Sequence, residues 1–398
     1  MHSYKYIILG GGMAGANAAM EIRKRDREGT LLIVTQEADK PYHRPPLSKE
    51  FWTEPNYPKE SIYYNIANDD SIDILTQTTI KRINADQRTV ENESGEVYQY
   101  EKLLYAPGGT PKWIDGPNSE RILALRTLDD YRNLRRLVGK GSKVIIVGGG
   151  WVGAELAAGL KVNEIDVTLV FPNDILNEKR LPRMLAKKFH QSFVDIGISL
   201  INNARADNYS VEGDQVLLKL KDGTTLTADI LVLGIGIKPN LALAEEAGLE
   251  VGNGVIADKY LQTSNKNIYT AGDVLNYPDI IIGRNRFEHE DQAEHSGRIA
   301  GRNMTGAGEA YKHGAPLSYT DVLDISIEGV GEMSRNRDDE IIEEVDDGYI
   351  VYYLSKGQPS GILTYNVKVD MEKAREILVN PPKSPENLVG MLKPIEKN

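Results

Sequence analysis

The sequence predicts an α/β protein in which a parallel-sheet core is laid down twice. Three observations carry this. A short apolar run, a glycine turn and an alanine-rich segment with helical spacing follow one another at the N-terminus. The same succession returns at residue 143. Two further apolar runs end in segments rich in Gly and Pro, where a chain leaves one domain for another.

The first succession starts with the strand Lys5–Leu9. It enters Gly10-Gly11-Gly12-Met13-Ala14-Gly15, which reads G-x-G-x-x-G. Residues 16–25 carry Ala, Met and Ile at helical spacing, and Thr30–Val34 is the next strand. Strand, turn and helix within about 30 residues form the dinucleotide fingerprint. Gly10 permits the tight turn, Gly12 lets the backbone approach a pyrophosphate, and Gly15 lets helix pack on strand. The helix start then offers unpaired N–H groups and a positive dipole to the phosphates.

In the second succession Lys143–Val147 is the strand and Gly148-Gly149-Gly150-Trp151-Val152-Gly153 the turn. Glu155–Leu160 is helical, and Val167–Phe171 is the following strand. Two fingerprints call for two dinucleotides, most often FAD and NAD(P). The strand 102–106 leads into Pro107-Gly108-Gly109, and the strand 229–233 into Gly234-Ile235-Gly236. The strand from Asn267 ends in Ala271-Gly272-Asp273. Asp273 reads either as an acceptor for a ribityl hydroxyl or as an ordinary helix cap.

Composition narrows the chemistry. The 58 acidic residues outnumber the 47 basic ones, for a formal charge of −11, so neither nucleic acid nor an anionic membrane suits the chain as a whole. There is no cysteine, which removes disulfides, thiolate metal sites and every Cys-based redox relay. No apolar run reaches transmembrane length, and the N-terminus lacks a signal-peptide pattern; a soluble, cytoplasmic protein is expected. The six histidines show no metal-ligand spacing, so no metal is expected, and His289 between Glu288 and Glu290 reads as a loop histidine near the flavin.

Together these motifs resemble the two-dinucleotide flavoproteins of the pyridine nucleotide–disulfide oxidoreductase superfamily. The loop Pro41-Tyr42-His43-Arg44-Pro45-Pro46-Leu47-Ser48-Lys49 is similar to that of the Cys-free branch, which holds ferredoxin and rubredoxin reductases and apoptosis-inducing factor. The segments 287–289 and 296–306 and the tail 349–354 with 361–366 are most similar to apoptosis-inducing factor. The resemblance implies two Rossmann-like domains, an FAD domain interrupted by an NAD domain, and an α+β C-terminal domain. The boundaries fall at 1–112 and 238–316 for FAD, 113–237 for NAD(P) and 317–398 for the last domain.

It also implies an FAD-dependent NAD(P)H oxidoreductase that moves a hydride from NADH to FAD and then reduces an unidentified acceptor. That acceptor is a carrier protein, a quinone or a small oxidant. A ferredoxin or rubredoxin reductase is one alternative. Another is an NADH sensor with little turnover, a lasting charge-transfer complex and a monomer–dimer switch. The implied FAD-side residues are Gly10, Gly12, Met13, Ala14, Gly15, Gln36, Glu37, Arg44, Lys49, Ile80, Gly108, Arg126, Asp273 and Tyr319. Glu288 and His289 are implied both at the flavin side and as NADH contacts. On the NAD side stand Gly149, Gly150, Trp151, Val152, Glu155, Asn173, Gly236, Glu328 and Asn366.

Three of these carry roles. Lys49 and Glu155 are expected to pair beside the reactive edge of the flavin; the alternative is a plain ion pair between domains. Trp151, inside the second glycine turn, is expected to gate the nicotinamide rather than merely pack. Several positions depart from the family pattern. Gln36, followed by Glu37, replaces the acid at the first ribose, and Asn173 replaces the second, which predicts relaxed discrimination against NADPH. Ala106-Pro107-Gly108 replaces Ala-Thr-Gly. The acidic stretch from Asp338 to Asp347 reads as a solvated loop. Arg284 and Arg286 are candidates for a basic patch facing a carrier, or for a dimer contact.

Overall fold

The computed structural model describes residues 2–333, 339–346 and 348–395 and shows a mixed α/β chain. The chain forms two compact units. One comprises residues 1–43, 58–110 and 239–318, the other residues 44–57, 111–238 and 319–398.

In the first unit His2–Leu9 lies at the centre of a seven-stranded sheet. Leu31–Val34 and Ile72–Leu75 flank it in parallel on one side. Val97–Tyr105 pairs with it in parallel on the other, and carries Ile268–Thr270 as a further parallel partner. Tyr6–Leu9, Leu31–Val34 and Leu103–Tyr105 are continuously buried, which is the apolar pattern of strands covered on both faces. The helix Met13–Arg25 covers one face and packs on the helix Glu290–Met304. The contact is close because two positions have no side chain. A Cβ on Gly297 would meet the Ala14 carbonyl oxygen at 2.3 Å, and one on Gly301 the Ala18 oxygen at 2.4 Å.

The second unit repeats the plan with five parallel strands. Lys143–Val147 lies between Asp166–Val170 and Ile230–Leu233, with Ser199–Ile201 and Ile122–Leu123 at the edges. A separate five-stranded sheet in this unit runs in the order Ser318–Val322, Ile325–Gly331, Gln358–Tyr365, Gly348–Ser355 and Asp339–Val345, with the helix Met371–Val379 against it.

The expected elements recur with shifted ends. The glycine helices start at Met13 and Trp151, inside their motifs, rather than at residues 16 and 155. The acidic stretch corrects the loop expectation: Asp339–Val345 is an edge strand paired antiparallel with Gly348–Ser355. Ile341, Ile342 and Val345 supply the β-branched residues, Asp339 and Glu344 are exposed and Glu343 accepts from the Gly390 amide and the Tyr352 hydroxyl, so high charge does not prevent the strand. Asp338 and Asp347 lie outside the described residues. No helix among those described is long and apolar enough to cross a membrane.

Candidate functional site: two glycine cradles and a buried Lys–Glu pair

The two motifs adopt the same backbone. Gly10 has φ +117° and Gly148 φ +124°, and an added Cβ would strike the carbonyl oxygens of Ala106 (2.1 Å) and Gly234 (2.2 Å) respectively. Only glycine satisfies both demands. Gly12 and Gly150 then cap the two helices with matching φ and ψ (−77°, −175° and −80°, −178°), and neither helix has a side-chain cap or an acid in its first turn. Gly15 and Gly153 press against the carbonyls of Gly10 and Gly148, each 2.1 Å from a would-be Cβ. Gly150, by contrast, faces open space, with nothing within 4 Å of its would-be Cβ. Backbone donors without a side-chain cap beside such an opening fit a dinucleotide pyrophosphate.

In the first unit the Asp273 turn (Gly272–Val274) lies at the start of the glycine helix, since a Cβ on Gly272 would be 3.0 Å from the Ala14 Cβ. Arg286 fastens this turn. Its guanidinium donates to the Asp273 carbonyl (2.8 Å), to the Glu288 carboxylate (2.7 Å) and to Asn253 Oδ1 (3.2 Å). Arg286 is thus committed to internal hydrogen bonds, whereas Arg284, though it donates to the carbonyls of Ala257 and Asn276, is an exposed residue. His289 caps the helix Glu290–Met304, its Nδ1 accepting from the Asp291 amide. Gln36 is exposed and donates to Thr79, whereas Glu37 accepts from the Tyr42 hydroxyl. Ile80 is buried at the start of its strand, and the Gly108 carbonyl accepts from Asn240.

Four residues expected on the flavin side, Arg44, Lys49, Arg126 and Tyr319, belong to the second unit. There Arg44 donates to the Arg126 carbonyl (2.6 Å), and the adjoining Thr127–Asp130 capping box holds that turn. The segment 44–57 is pinned to the second glycine helix by Trp52, which packs against Gly159, and by Asn163, whose side chain donates to the Trp52 carbonyl (2.7 Å).

This places Lys49 beside Glu155. The Lys49 ammonium is 3.5 Å from Glu155 Oε1 and 4.4 Å from the centroid of the Tyr319 ring. Glu155 is 7% exposed, and its oxygens accept from Thr320 Oγ1 (2.6 Å) and Ser48 Oγ (2.7 Å). Burial pushes its carboxyl above the usual range, opposed first by the Lys49 charge and then by the two hydroxyls. The sequence motifs contain Lys49, Glu155 and Tyr319; Ser48 and Thr320, each next to one of them, were missed, because a hydroxyl beside an ionic residue leaves no spacing signal.

Trp151 stands edge-on to the buried Phe189 (5.9 Å, 85°), with the Arg180 guanidinium over its ring at 5.6 Å. Val152 is 49% exposed. Asn173 has an acidic neighbour: its side-chain amide donates to Glu178 (3.3 Å), so a carboxylate reaches this position from five residues further along. Gly236 accepts at its carbonyl from the Lys112 amide. Glu328 lies on the strand Ile325–Gly331 and is also pushed up by burial. The Asn366 side chain accepts from the Ser326 amide (2.8 Å) and thus closes its own sheet.

The fold and paired cradles define a flavin-dependent, NAD(P)H-using oxidoreductase. The chain belongs to the pyridine nucleotide-disulphide oxidoreductase family, whose model matches residues 4–297. It is 32% identical over 369 residues to a putative mitochondrial apoptosis-inducing factor 1 of Drosophila melanogaster, covering 82% of this chain but only 50% of that relative. It is 29% identical to the ferredoxin–NAD(+) reductase component of a 3-phenylpropionate/cinnamic acid dioxygenase from Photorhabdus laumondii, covering 96% of this chain and 98% of the relative. Putidaredoxin reductase, solved in a covalent complex with putidaredoxin, superposes with a TM-score of 0.88 at 26% identity, over 98% of this chain and 96% of that one.

Proposed function

We propose that the chain is an NADH-dependent reductase of the ferredoxin-reductase type, with FAD on the first glycine cradle and NADH on the second. FAD held there would supply two-electron hydride acceptance from NADH and the capacity to pass electrons on singly to a one-electron carrier. The observation that carries the reading is the absence of cysteine in a member of a disulphide oxidoreductase family. Electrons cannot leave through a protein dithiol, so they leave to an external acceptor. Near-complete coverage of a ferredoxin–NAD(+) reductase component supports a carrier protein in that role.

The chain's own residues divide the work. The first-turn amides at Met13–Gly15 and at Trp151–Gly153 bind the diphosphates. Lys49 presents a positive charge at the redox centre, Glu155 keeps that charge paired, and Trp151 covers or releases the nicotinamide position. Asp273, held through its carbonyl by Arg286, orients the FAD chain. Likeness to an apoptosis-inducing factor supports a second reading, an NADH sensor with slow turnover. Anaerobic stopped-flow mixing of the FAD-loaded protein with NADH separates the two. Fast bleaching, followed by cytochrome c reduction only when a [2Fe–2S] ferredoxin is added, supports the reductase. A long-wavelength band that persists in air supports the sensor, and no bleaching refutes both.

A further inference from the structure

We infer that Asp291, His295 and His313 form a binding site for one first-row divalent transition cation of the zinc type. Asp291 and His295 are a turn apart on the helix Glu290–Met304 and so share one face of it. His313 reaches the same point from the segment that follows the helix. His313 Nε2 lies 2.5 Å from Asp291 Oδ2, and His295 Nδ1 lies 3.2 Å from Asp291 Oδ1. All three donor atoms fall within 4.8 Å of one another.

These gaps suit a small cation. Ligands bound at about 2.0–2.2 Å in a tetrahedral arrangement stand a little over about 3 Å apart. The His295–Asp291 spacing already has this value, and His313 needs to retreat by less than about 1 Å. The two imidazole rings are stacked at 3.9 Å and 8°, and binding rotates them so that both lone pairs meet one point. The Leu317 amide donates to Asp291 Oδ2 (2.8 Å), an outer-shell bond of the kind that fixes a ligating carboxylate.

The donor set chooses the ion. Two imidazoles and one carboxylate suit zinc, nickel or copper rather than calcium or magnesium, and no cysteine thiolate competes anywhere in the chain. Three protein ligands leave at least one position for water. A bound cation would clamp the first turns of this helix, which starts directly after Glu288 and His289, to the segment around His313 and Leu317.

Calorimetric titration of the purified full-length protein with Zn²⁺ tests this directly. One equivalent should bind, and His295→Gln should weaken it by at least about tenfold, since even groups behind a ligand are worth 10–100-fold. His295 is the first choice because it is partly exposed and its removal spares the Asp291–His313 bond. Cu²⁺ EPR gives a second readout: splitting from two imidazole nitrogens in the wild type and from one in His295→Gln. The proposal is overturned by the lack of a stoichiometric Zn²⁺ site. It is equally overturned by Zn²⁺ affinity unchanged in both His295→Gln and His313→Gln, which would mark the three residues as a hydrogen-bonded cluster only.

Discussion

Glu155 stands closer to two hydroxyls than to the ammonium of Lys49: Thr320 and Ser48 are at 2.6 and 2.7 Å, Lys49 at 3.5 Å. The carboxylate is thus oriented by neutral donors, and the lysine is free to turn its charge toward the Tyr319 ring. Such an arrangement fixes the acid and keeps the base adjustable.

Because burial raises the Glu155 carboxyl, the folded protein holds this proton more tightly than the unfolded chain does. Stability from this group is fully present below the ordinary carboxylate range and is lost as pH rises through the raised value. Glu155→Gln keeps both hydroxyl partners and should remove that decline. Melting temperatures measured across this pH window would show it, and parallel curves for the two proteins would count against the assignment.

Lys49→Ala leaves Glu155 buried without its counter-charge. Loss of one partner from a buried pair costs about 3–5 kcal/mol, but Ser48 and Thr320 remain and the carboxyl can protonate, so about 1–3 kcal/mol is expected. Lys49→Ala with Glu155→Gln should recover part of this, because the two residues act as a unit. The reduction rate by NADH should be impaired in Lys49→Ala and should not fall by the product of the single effects in the double variant. Strict additivity in denaturant unfolding and in rate would show no coupling.

Trp151→Ala removes the edge-on contact with Phe189 and the ring under Arg180. Such a contact is worth about 0.5–1.5 kcal/mol, so the fold should survive. Flavin reduction at low NADH should change its rate, or its long-wavelength absorbance should weaken. If stopped-flow traces match the wild type, Trp151 only packs.

The Glu178 carboxylate accepts from Asn173 and lies 3.7 Å from the Arg183 guanidinium, so an acid stands beside the position where the motif lacks one. NADH should therefore be preferred, and Glu178→Gln should improve NADPH binding by about fivefold, the worth of roughly 1 kcal/mol. Asn173→Asp should move the preference the other way. Isotherms for both nucleotides in each variant would decide, and an unchanged ratio in Glu178→Gln assigns the discrimination elsewhere.

Glycines of one motif should respond differently to one methyl group. Gly153→Ala drives a Cβ into the Gly148 carbonyl and should cost several kcal/mol or abolish folding. Gly150→Ala enters open space and should shift stability by no more than a few tenths to about 1 kcal/mol. It should nonetheless weaken NADH, because the methyl occupies room a diphosphate needs. Equal loss of stability in the two variants would contradict the cradle geometry.

Both glycine cradles and the central strands are legible in the sequence because their backbone demands fall on consecutive residues. Gly10 and Gly148 announce a left-handed φ, and continuous apolar runs announce strands buried on two faces. The edge strand Asp339–Val345 was hidden because charge masks β-branched residues when one face meets water. The bond from Arg286 to the Asp273 carbonyl was not legible, because a guanidinium that donates to a distant carbonyl looks, in sequence, like any surface cation. The Asp291–His295–His313 cluster escaped for a similar reason: its third member lies well beyond the helix that carries the first two. Glu178 and the Ser48 and Thr320 hydroxyls act through space from positions that no motif records.

Trp52 against Gly159, and Asn163 on the Trp52 carbonyl, commit a piece of the early chain to a unit whose remaining parts are translated much later. That unit also includes residues 319–398, so its last strands are still unmade when its glycine turn leaves the ribosome. Because both units are built from non-contiguous segments, neither can be finished while the other has yet to begin. Neither unit is one continuous stretch: a fragment ending after residue 238 would keep the parallel sheet of the second unit but lose its separate five-stranded sheet and the Thr320 hydroxyl that holds the buried Glu155. The first unit has all its parts by residue 318, whereas the second is completed only when residues 319–398 join the segments 44–57 and 111–238.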